Sequence, residues 1–164
     1  MNTLNIDKMT DRELIITMHN NGKKKKTYTH RQNITIIKMY LENGMLGQEI
    51  TIESDILNGP YKIFHKNGNK KWIGTMKNNK PHGDYKIYYQ SGILKEEGCY
   101  DNGKKHGMIT TYNEAGKCKF VDFHCWGGRK INGNYEKITY RTEFDTTNNN
   151  LLSMTRYEND NMDT

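Results

Sequence analysis

The sequence has few of the residues that stabilise disulfide-rich or thickly packed proteins. Its three cysteines, Cys99, Cys118 and Cys125, are odd in number and lack paired spacing, which argues against a disulfide framework. Leu, Ile, Val and Phe make up about 18% of the 164 residues, near the composition of disordered chains. The 11 tyrosines and 2 tryptophans supply buriable area. We therefore expect a thin, elongated fold rather than a deep core.

Arginine is also scarce, with five residues against twenty lysines in a chain of net charge +6. Because proteins that bind phosphate favour the two-pronged arginine contact, no nucleic acid is expected as a partner. Abundant Lys, Asn, Ile and Tyr instead predict an AT-rich genome. The run Lys23-Lys24-Lys25-Lys26 follows the turn signal Asn20-Asn21-Gly22, which indicates a solvated hairpin end.

Long apolar segments and catalytic motifs are missing as well. No apolar run approaches the roughly 20 residues that span a bilayer, and the N-terminus MNTLNIDKMTDREL has no secretory signal pattern. The sequence thus predicts a soluble, cytoplasmic protein. It contains no G-x-S-x-G, HExxH, Walker or dinucleotide-binding glycine motif, so no cofactor is expected.

What the sequence does contain is an internal repeat of 24 residues. Two glycine series recur with this period, and the second series stands nine residues after the first. The first series is Gly59, Gly83 and Gly107, with Gly133 after 26 residues, and the second is Gly44, Gly68, Gly92 and Gly116. Such periodicity is typical of solenoid and array proteins.

Each repeat predicts two β-strands joined by tight turns. Tyr61 to His65 and Tyr85 to Tyr89 are short aromatic and β-branched runs, and Lys70 to Met76 and Leu94 to Tyr100 are their return strands. Lys66-Asn67-Gly68 and Gln90-Ser91-Gly92 predict the hairpin turns. The closing turns are expected over residues 78–83, 102–107 and 127–133. Frequent Gly and Asn-Gly exclude helix here, so we expect an all-β, single-sheet antiparallel meander built of hairpin repeats.

The stretch GDYKIYYQSGILKEEGCYDNGKKHG resembles a MORN repeat in its variant form, the type found in bacterial antitoxin-like proteins and in proteins of large viruses and protists. The matching features are the opening Gly, the aromatic two residues later, the Tyr before the turn Gly, and the closing NGKKHG. The resemblance covers residues 36–135. The chain departs from the repeat pattern in three places. Asn79 stands at the position that Gly103 holds one repeat later, and Ile131-Asn132 replaces the His that precedes the opening Gly. Two extra residues lie between Gly116 and Gly133.

The ends of the chain are less regular. Leu14 to His19 and the segment up to Ile37 are compatible with one more degenerate repeat, while Thr10-Asp11-Arg12-Glu13 also fits a helix capping box. Lys137 to Phe144 and Leu151 to Tyr157 predict a last hairpin, followed by a frayed tail. We therefore predict one domain over residues 1–164. It comprises an N-terminal capping segment or degenerate repeat (1–37), MORN-type repeats (38–135) and a C-terminal capping hairpin with the tail (136–164).

Three groups of residues could carry chemistry, and each has a structural alternative. His82 and His106 precede repeat glycines, where an imidazole bonded to turn backbone explains them better than a ladder of metal ligands. Cys118, His124 and Cys125 have neither a CxxC knuckle nor a fourth ligand, so no metal is expected. General acid–base chemistry needs carboxyl groups in a cleft, which a single sheet rarely offers. The candidates for it are Glu96, Glu97 and Asp101, or Asp122 with His124.

The repeated aromatic residues remain as the candidate partner-binding surface. Strand alternation places Tyr61, Tyr85 and Tyr135 on one face and Phe64, Tyr88 and Tyr112 on the other. One row must be core, and the sequence does not decide which, nor whether both rows pack within the repeat. The sequence and the resemblance together predict a non-enzymatic protein–protein interaction scaffold. By the resemblance, it could neutralise a partner as an antitoxin-like protein does. The alternative is peripheral binding to anionic lipid through a Lys-rich edge, and an exposed sheet edge or end predicts a homodimer.

Overall fold

The computed structural model describes residues 13–131 and 134–158, and side chains over 17–125 and 138–157. The described chain is built of β-strands joined by turns. The strands are β1 (Glu13–Met18), β2 (Lys24–Arg31), β3 (Ile34–Tyr40), β4 (Leu46–Glu53), β5 (Ile56–Phe64), β6 (Lys70–Lys77), β7 (Lys80–Pro81), β8 (Gly83–Tyr88), β9 (Leu94–Asp101), β10 (Lys104–Tyr112), β11 (Cys118–Ile131), β12 (Asn134–Phe144) and β13 (Leu151–Glu158). None of the described residues forms a helix that could cross a bilayer.

These strands pair in sequence order into one open antiparallel sheet, with the short β7 beside β6. Each strand lies next to the strand that follows it in the chain, as in a meander. The prediction of an all-β single sheet of hairpin repeats is confirmed. The segment for which a short helix was considered is strand from Glu13 onward, and residues 10–12 lie outside the described residues.

One margin of the sheet carries the turns that the second glycine series predicts. In each turn the glycine N–H donates to the carbonyl three residues earlier at 2.8–2.9 Å, and the glycine has a positive φ that side chains disfavour. The turn glycines are Gly22, Gly44, Gly68, Gly92 and Gly116. The same turn at Gly22 means that the segment before Ile37 forms a hairpin like those of the repeats.

Asparagine side chains join these turns from one repeat to the next. The Nδ2 group of Asn21 donates to the carbonyl of Glu42 at 2.7 Å, and that of Asn43 donates to Lys66 at 3.1 Å. Asn67 donates to the carbonyl of Gln90 at 2.8 Å. The three bonds form a ladder that couples neighbouring hairpins at this margin.

The turns at the opposite margin are shorter than the sequence predicts. Asn78 and Asn79 form a two-residue turn with φ of 51° and 63°, and the chain re-enters the sheet at Lys80. The prediction of a turn over 127–133 is wrong for residues 127–131, which continue β11 because β12 supplies a pairing partner for Lys130 and Ile131. Gly133 lies outside the described residues.

The opening glycines of the repeats also lie within strands rather than in turns. Gly59, Gly83 and Gly107 have φ of 116°, 77° and 71°. The pairing of β5 with β4 and that of β10 with β9 shift register at Gly59 and Gly107, as at a β-bulge. A bulge increases the local twist and bends the strand, so these glycines shape the sheet.

The core is thin and follows one face of the sheet, here called the inner face. Ile37, Tyr61, Tyr85 and Ile109, spaced 24 residues apart, form its central row, the core row. Ile37, Tyr85 and Ile109 are buried, with Tyr85 2% and Ile109 1% exposed. Thr27, on the opposite or outer face, is buried as well. A narrow strip of large side chains therefore replaces a globular core, as the composition predicts.

Candidate functional site

The structure buries Tyr85 of the first predicted aromatic row, whereas Tyr61 of that row is half-buried. Tyr85 of the first predicted row packs against Tyr100 with ring centroids 4.5 Å apart, and Tyr61 meets Trp72 edge-on at 5.5 Å. The Tyr85 hydroxyl donates to Oε1 of Glu96 at 2.6 Å, and burial, then this bond, raise the pKa of Tyr85. The side chain of Tyr135 lies outside the described side chains. Tyr61 and Tyr85 thus serve the core row, and their role as partner-binding residues stays a prediction.

The second predicted row lies on the outer face and is only half-buried. Phe64, Tyr88 and Tyr112, here called the ring row, occupy the same position in three successive repeats. The Tyr112 hydroxyl donates to Oε1 of Glu97 at 2.8 Å. Burial, then this hydrogen bond, raise the pKa of Tyr112 to about 12. The ring row therefore leaves part of each ring open to solvent along the sheet.

Charged side chains of alternating sign lie beside the ring row on the outer face. Lys62 Nζ lies 2.6 Å and Lys38 Nζ 4.0 Å from the Glu49 carboxylate. Lys86 Nζ lies 3.1 Å from the Glu97 carboxylate. The hydrogen bond from Tyr112 and the bond with Lys86 hold the pKa of Glu97 below its usual value. The outer face thus offers half-exposed rings beside both positive and negative groups.

The carboxylates considered for acid–base chemistry are engaged elsewhere. Glu96 and Glu97 face opposite sides of the sheet, as alternation predicts, and Lys105 lies 2.8 Å from Glu96. Asp122 receives two bonds from the Arg141 guanidinium, at 2.7 and 2.8 Å. Asp101 lies at the exposed opposite margin, 3.5 Å from the His82 imidazole. The carboxylates are therefore distributed over both faces and one margin of the sheet rather than gathered at one site.

The predicted cysteine and histidine group does not form a common site. The thiols of Cys118 and Cys125 point to the backbone carbonyls of Phe120 and Ile138, at 3.8 and 3.7 Å. His124 is buried and its Nδ1 lies 2.9 Å from the Thr139 hydroxyl. Within the described part of the chain, no group of three His, Cys, Asp or Glu residues could hold a metal ion.

His82 lies in contact with turn backbone, and the structural role that the sequence favours for it stays a prediction. The backbone N–H of Asn102, in the turn of the next hairpin, points to Nδ1 of His82 at 3.5 Å. His106, at the equivalent position, is exposed. His82 lies between β7 and β8, and His106 lies near the start of β10. Both are at the margin of the sheet that carries the short turns.

One cavity, of about 240 Å³, lies at the hairpin of β1 and β2, far from the carboxylates of β9 and β11. Its lining is polar apart from one methionine, and comprises Met18, His19, Asn20, Asn21, Lys25 and Glu42. The His19 Nε2 atom is occupied by the carbonyl of Tyr40 at 2.8 Å. His19 is therefore held to the backbone of the neighbouring hairpin.

Two features of the structure were missed in the sequence. Gly74 and Gly98 lie on the inner face beside the core row, and their 24-residue spacing would have identified them. Large apolar side chains are exposed on the outer face near the C-terminal end, among them Met108, Phe123 and Met154. Met108 stands where the preceding repeat has Asp84, and this departure from the repeat pattern was the available signal.

Comparison with known families is consistent with this architecture. A family model described as MORN repeat variant matches residues 81–102, which run from Pro81 through β8 and β9 to the following turn. Repeats of this type are non-enzymatic modules associated with scaffolds that bind proteins or membranes. No curated protein matches the chain.

Proposed function

Because the chain is a MORN-repeat protein, we propose that it is a non-enzymatic scaffold that binds a protein partner on its outer face. The observation that carries this proposal is the ring row, whose three side chains are only partly buried. Phe64, Tyr88 and Tyr112 recur at one repeat position, yet the core row already provides the packing between strands. Aromatic residues that a fold retains at its surface are typical anchors of protein interfaces.

The surroundings of the ring row indicate what kind of partner it binds. Glu49 and Glu97 are each paired with lysines, so the outer face has no large field of one sign. A polypeptide that presents apolar side chains among charges of both signs fits this surface better than a uniformly acidic polymer. The antitoxin-like role is the specific form in which such binding blocks the activity of the partner.

The absence of catalysis is part of the proposal. The carboxylates Glu96, Glu97 and Asp122 each contact a lysine or arginine. For Glu97, the hydrogen bond from Tyr112 and the bond with Lys86 hold the pKa below its usual value, which opposes its use as a general acid. The repeat type itself is a non-enzymatic module.

The test is quantitative capture of a partner by matched variants. Phe64→Ala with Tyr88→Ala removes two rings of the ring row, whereas Met45→Ala with Ile93→Ala removes exposed apolar side chains at the turn margin. We expect a partner captured in equal stoichiometry by the native chain and by the control, and a reduction of at least about tenfold with the ring variant. Equal capture by both variants contradicts the proposal.

Peripheral binding to anionic lipid is the second candidate, supported by the net charge of +6 and by three exposed lysines at the short-turn margin, Lys77, Lys80 and Lys104. It predicts co-sedimentation with phosphatidylserine vesicles at low ionic strength that is lost when salt is raised. Replacing the three lysines by glutamine should abolish the binding, while the ring variant should retain it. Absence of binding at low salt rejects this candidate.

A further inference from the structure

Five large apolar side chains cluster on the outer face of the last strands. Met108, Phe123 and Tyr140 lie side by side across β10, β11 and β12, and they are 64%, 46% and 42% exposed. Leu152 and Met154 continue the cluster on β13 and are 60% and 74% exposed. We call this surface the apolar patch. It extends to the strand at the end of the sheet order, where no further repeat packs beside it among the described residues.

The repeat pattern shows that the fold does not require apolar residues at these positions. Met108 pairs with Phe123 across β10 and β11. The equivalent pair one repeat earlier is Asp84 with Cys99. Two repeats earlier it is Pro60 with Thr75. Since the same hairpin forms with these smaller or charged residues, the exposed Met and Phe are not explained by packing within the chain.

We propose that the apolar patch is the self-association surface of the protein, and that it binds the same patch of a second copy face to face. The five side chains expose on the order of 600 Å² together, close to the roughly 800 Å² that each partner contributes to a standard interface. Arg156, which pairs with Tyr140 across β12 and β13, flanks the apolar patch on the outermost strand. An apolar surface is complementary to itself, as a two-fold symmetric interface requires.

This surface uses residues different from those of the ring row, so self-association and partner binding can be tested separately. An area of this size, without an extensive polar rim, predicts a dimer with a dissociation constant on the order of 10 µM.

The experiment is sedimentation velocity of the full chain from about 1 µM to about 200 µM. The patch variant is Met108→Asp with Phe123→Thr, because Asp84 and Thr75 occupy the equivalent positions in this same fold. The control is Met45→Asp, which charges a methionine of 44% exposure in a turn. We expect a monomer–dimer equilibrium for the native chain and the control, and at least a tenfold weaker equilibrium for the patch variant.

A second variant keeps the test decisive if the first does not fold. Met154→Glu changes the most exposed residue of the apolar patch and should weaken the dimer in the same direction. A native chain that remains monomeric at the highest concentration overturns the proposal, as does a patch variant that dimerises like the native chain. Binding of the monomeric native chain to neutral phosphatidylcholine vesicles, lost in the patch variant, would assign the surface to a membrane instead.

Discussion

Replacing Gly98 by alanine is expected to destabilise the sheet, whereas the same change at Gly74, one repeat earlier, is expected to be nearly neutral. A Cβ atom on Gly98 would lie 2.3 Å from Cδ1 of Ile109 and 3.1 Å from the carbonyl oxygen of Met108. A Cβ atom on Gly74 would meet the far end of the Trp72 ring, at 2.6 Å. The two glycines hold the same repeat position, so the contrast isolates what lies over them.

The magnitude follows from how far each neighbour can move. Ile109 is 1% exposed, so its methyl group cannot retreat by the more than 1 Å needed to reach normal contact without displacing the strand. Overpacking of this kind costs about 1–3 kcal/mol, and the reduced freedom of the unfolded chain returns about 0.4–1 kcal/mol. The net loss at Gly98 is therefore about 1–2 kcal/mol. At Gly74 the half-buried ring can swing aside, and the net change is within about 0.5 kcal/mol.

The assay is thermal unfolding followed by circular dichroism, compared across the two alanine variants. A loss of 1–2 kcal/mol in a chain of this size lowers Tm by about 2–8 °C. Ile109→Val removes the clashing methyl group, so Gly98→Ala combined with Ile109→Val should lose less stability than the two single changes added together. If Gly98→Ala is as stable as the native protein, or if Gly74→Ala is the more damaging change, the packing argument is wrong.

Three further predictions concern polar contacts. Arg141→Met leaves the nearly buried carboxylate of Asp122 without its two hydrogen bonds. The free energy of unfolding, measured by chemical denaturation, should fall by about 2 kcal/mol. Combining Arg141→Met with Asp122→Leu should recover part of this loss. Tyr112 should release its proton near pH 12, measured by phenolate absorbance and lost in Tyr112→Phe. In the folded chain Tyr112 keeps its proton up to about pH 12, whereas in the unfolded chain it releases the proton near pH 10. The contribution of Tyr112 to the free energy of unfolding should therefore fall as pH rises through this window. Asn67→Ala removes one bond of the asparagine ladder and the bond that Asn67 Oδ1 accepts from the Asn69 N–H. It should cost about 1 kcal/mol, with faster amide exchange at the adjoining turn.

The sequence determined the architecture because its signals are local. A glycine with positive φ at a fixed interval fixes the hairpin turns, as Gly68 and Gly92 show. Strand alternation then separates Tyr85 from Tyr88 onto different faces. Both steps depend on neighbouring residues along the chain, so the strand order and the two aromatic rows could be read before any pairing was known.

The tertiary structure decided which aromatic side chain is buried, in which register the strands pair and where the apolar patch lies. Ile109 is buried against Gly98 on the adjacent strand, which leaves room for its side chain, a relation between residues of different strands. Lys130 and Ile131 form strand rather than turn because β12 provides partners across the sheet. Exposure and cross-strand packing depend on the register between strands, and register is a property of pairs of segments that no single segment encodes.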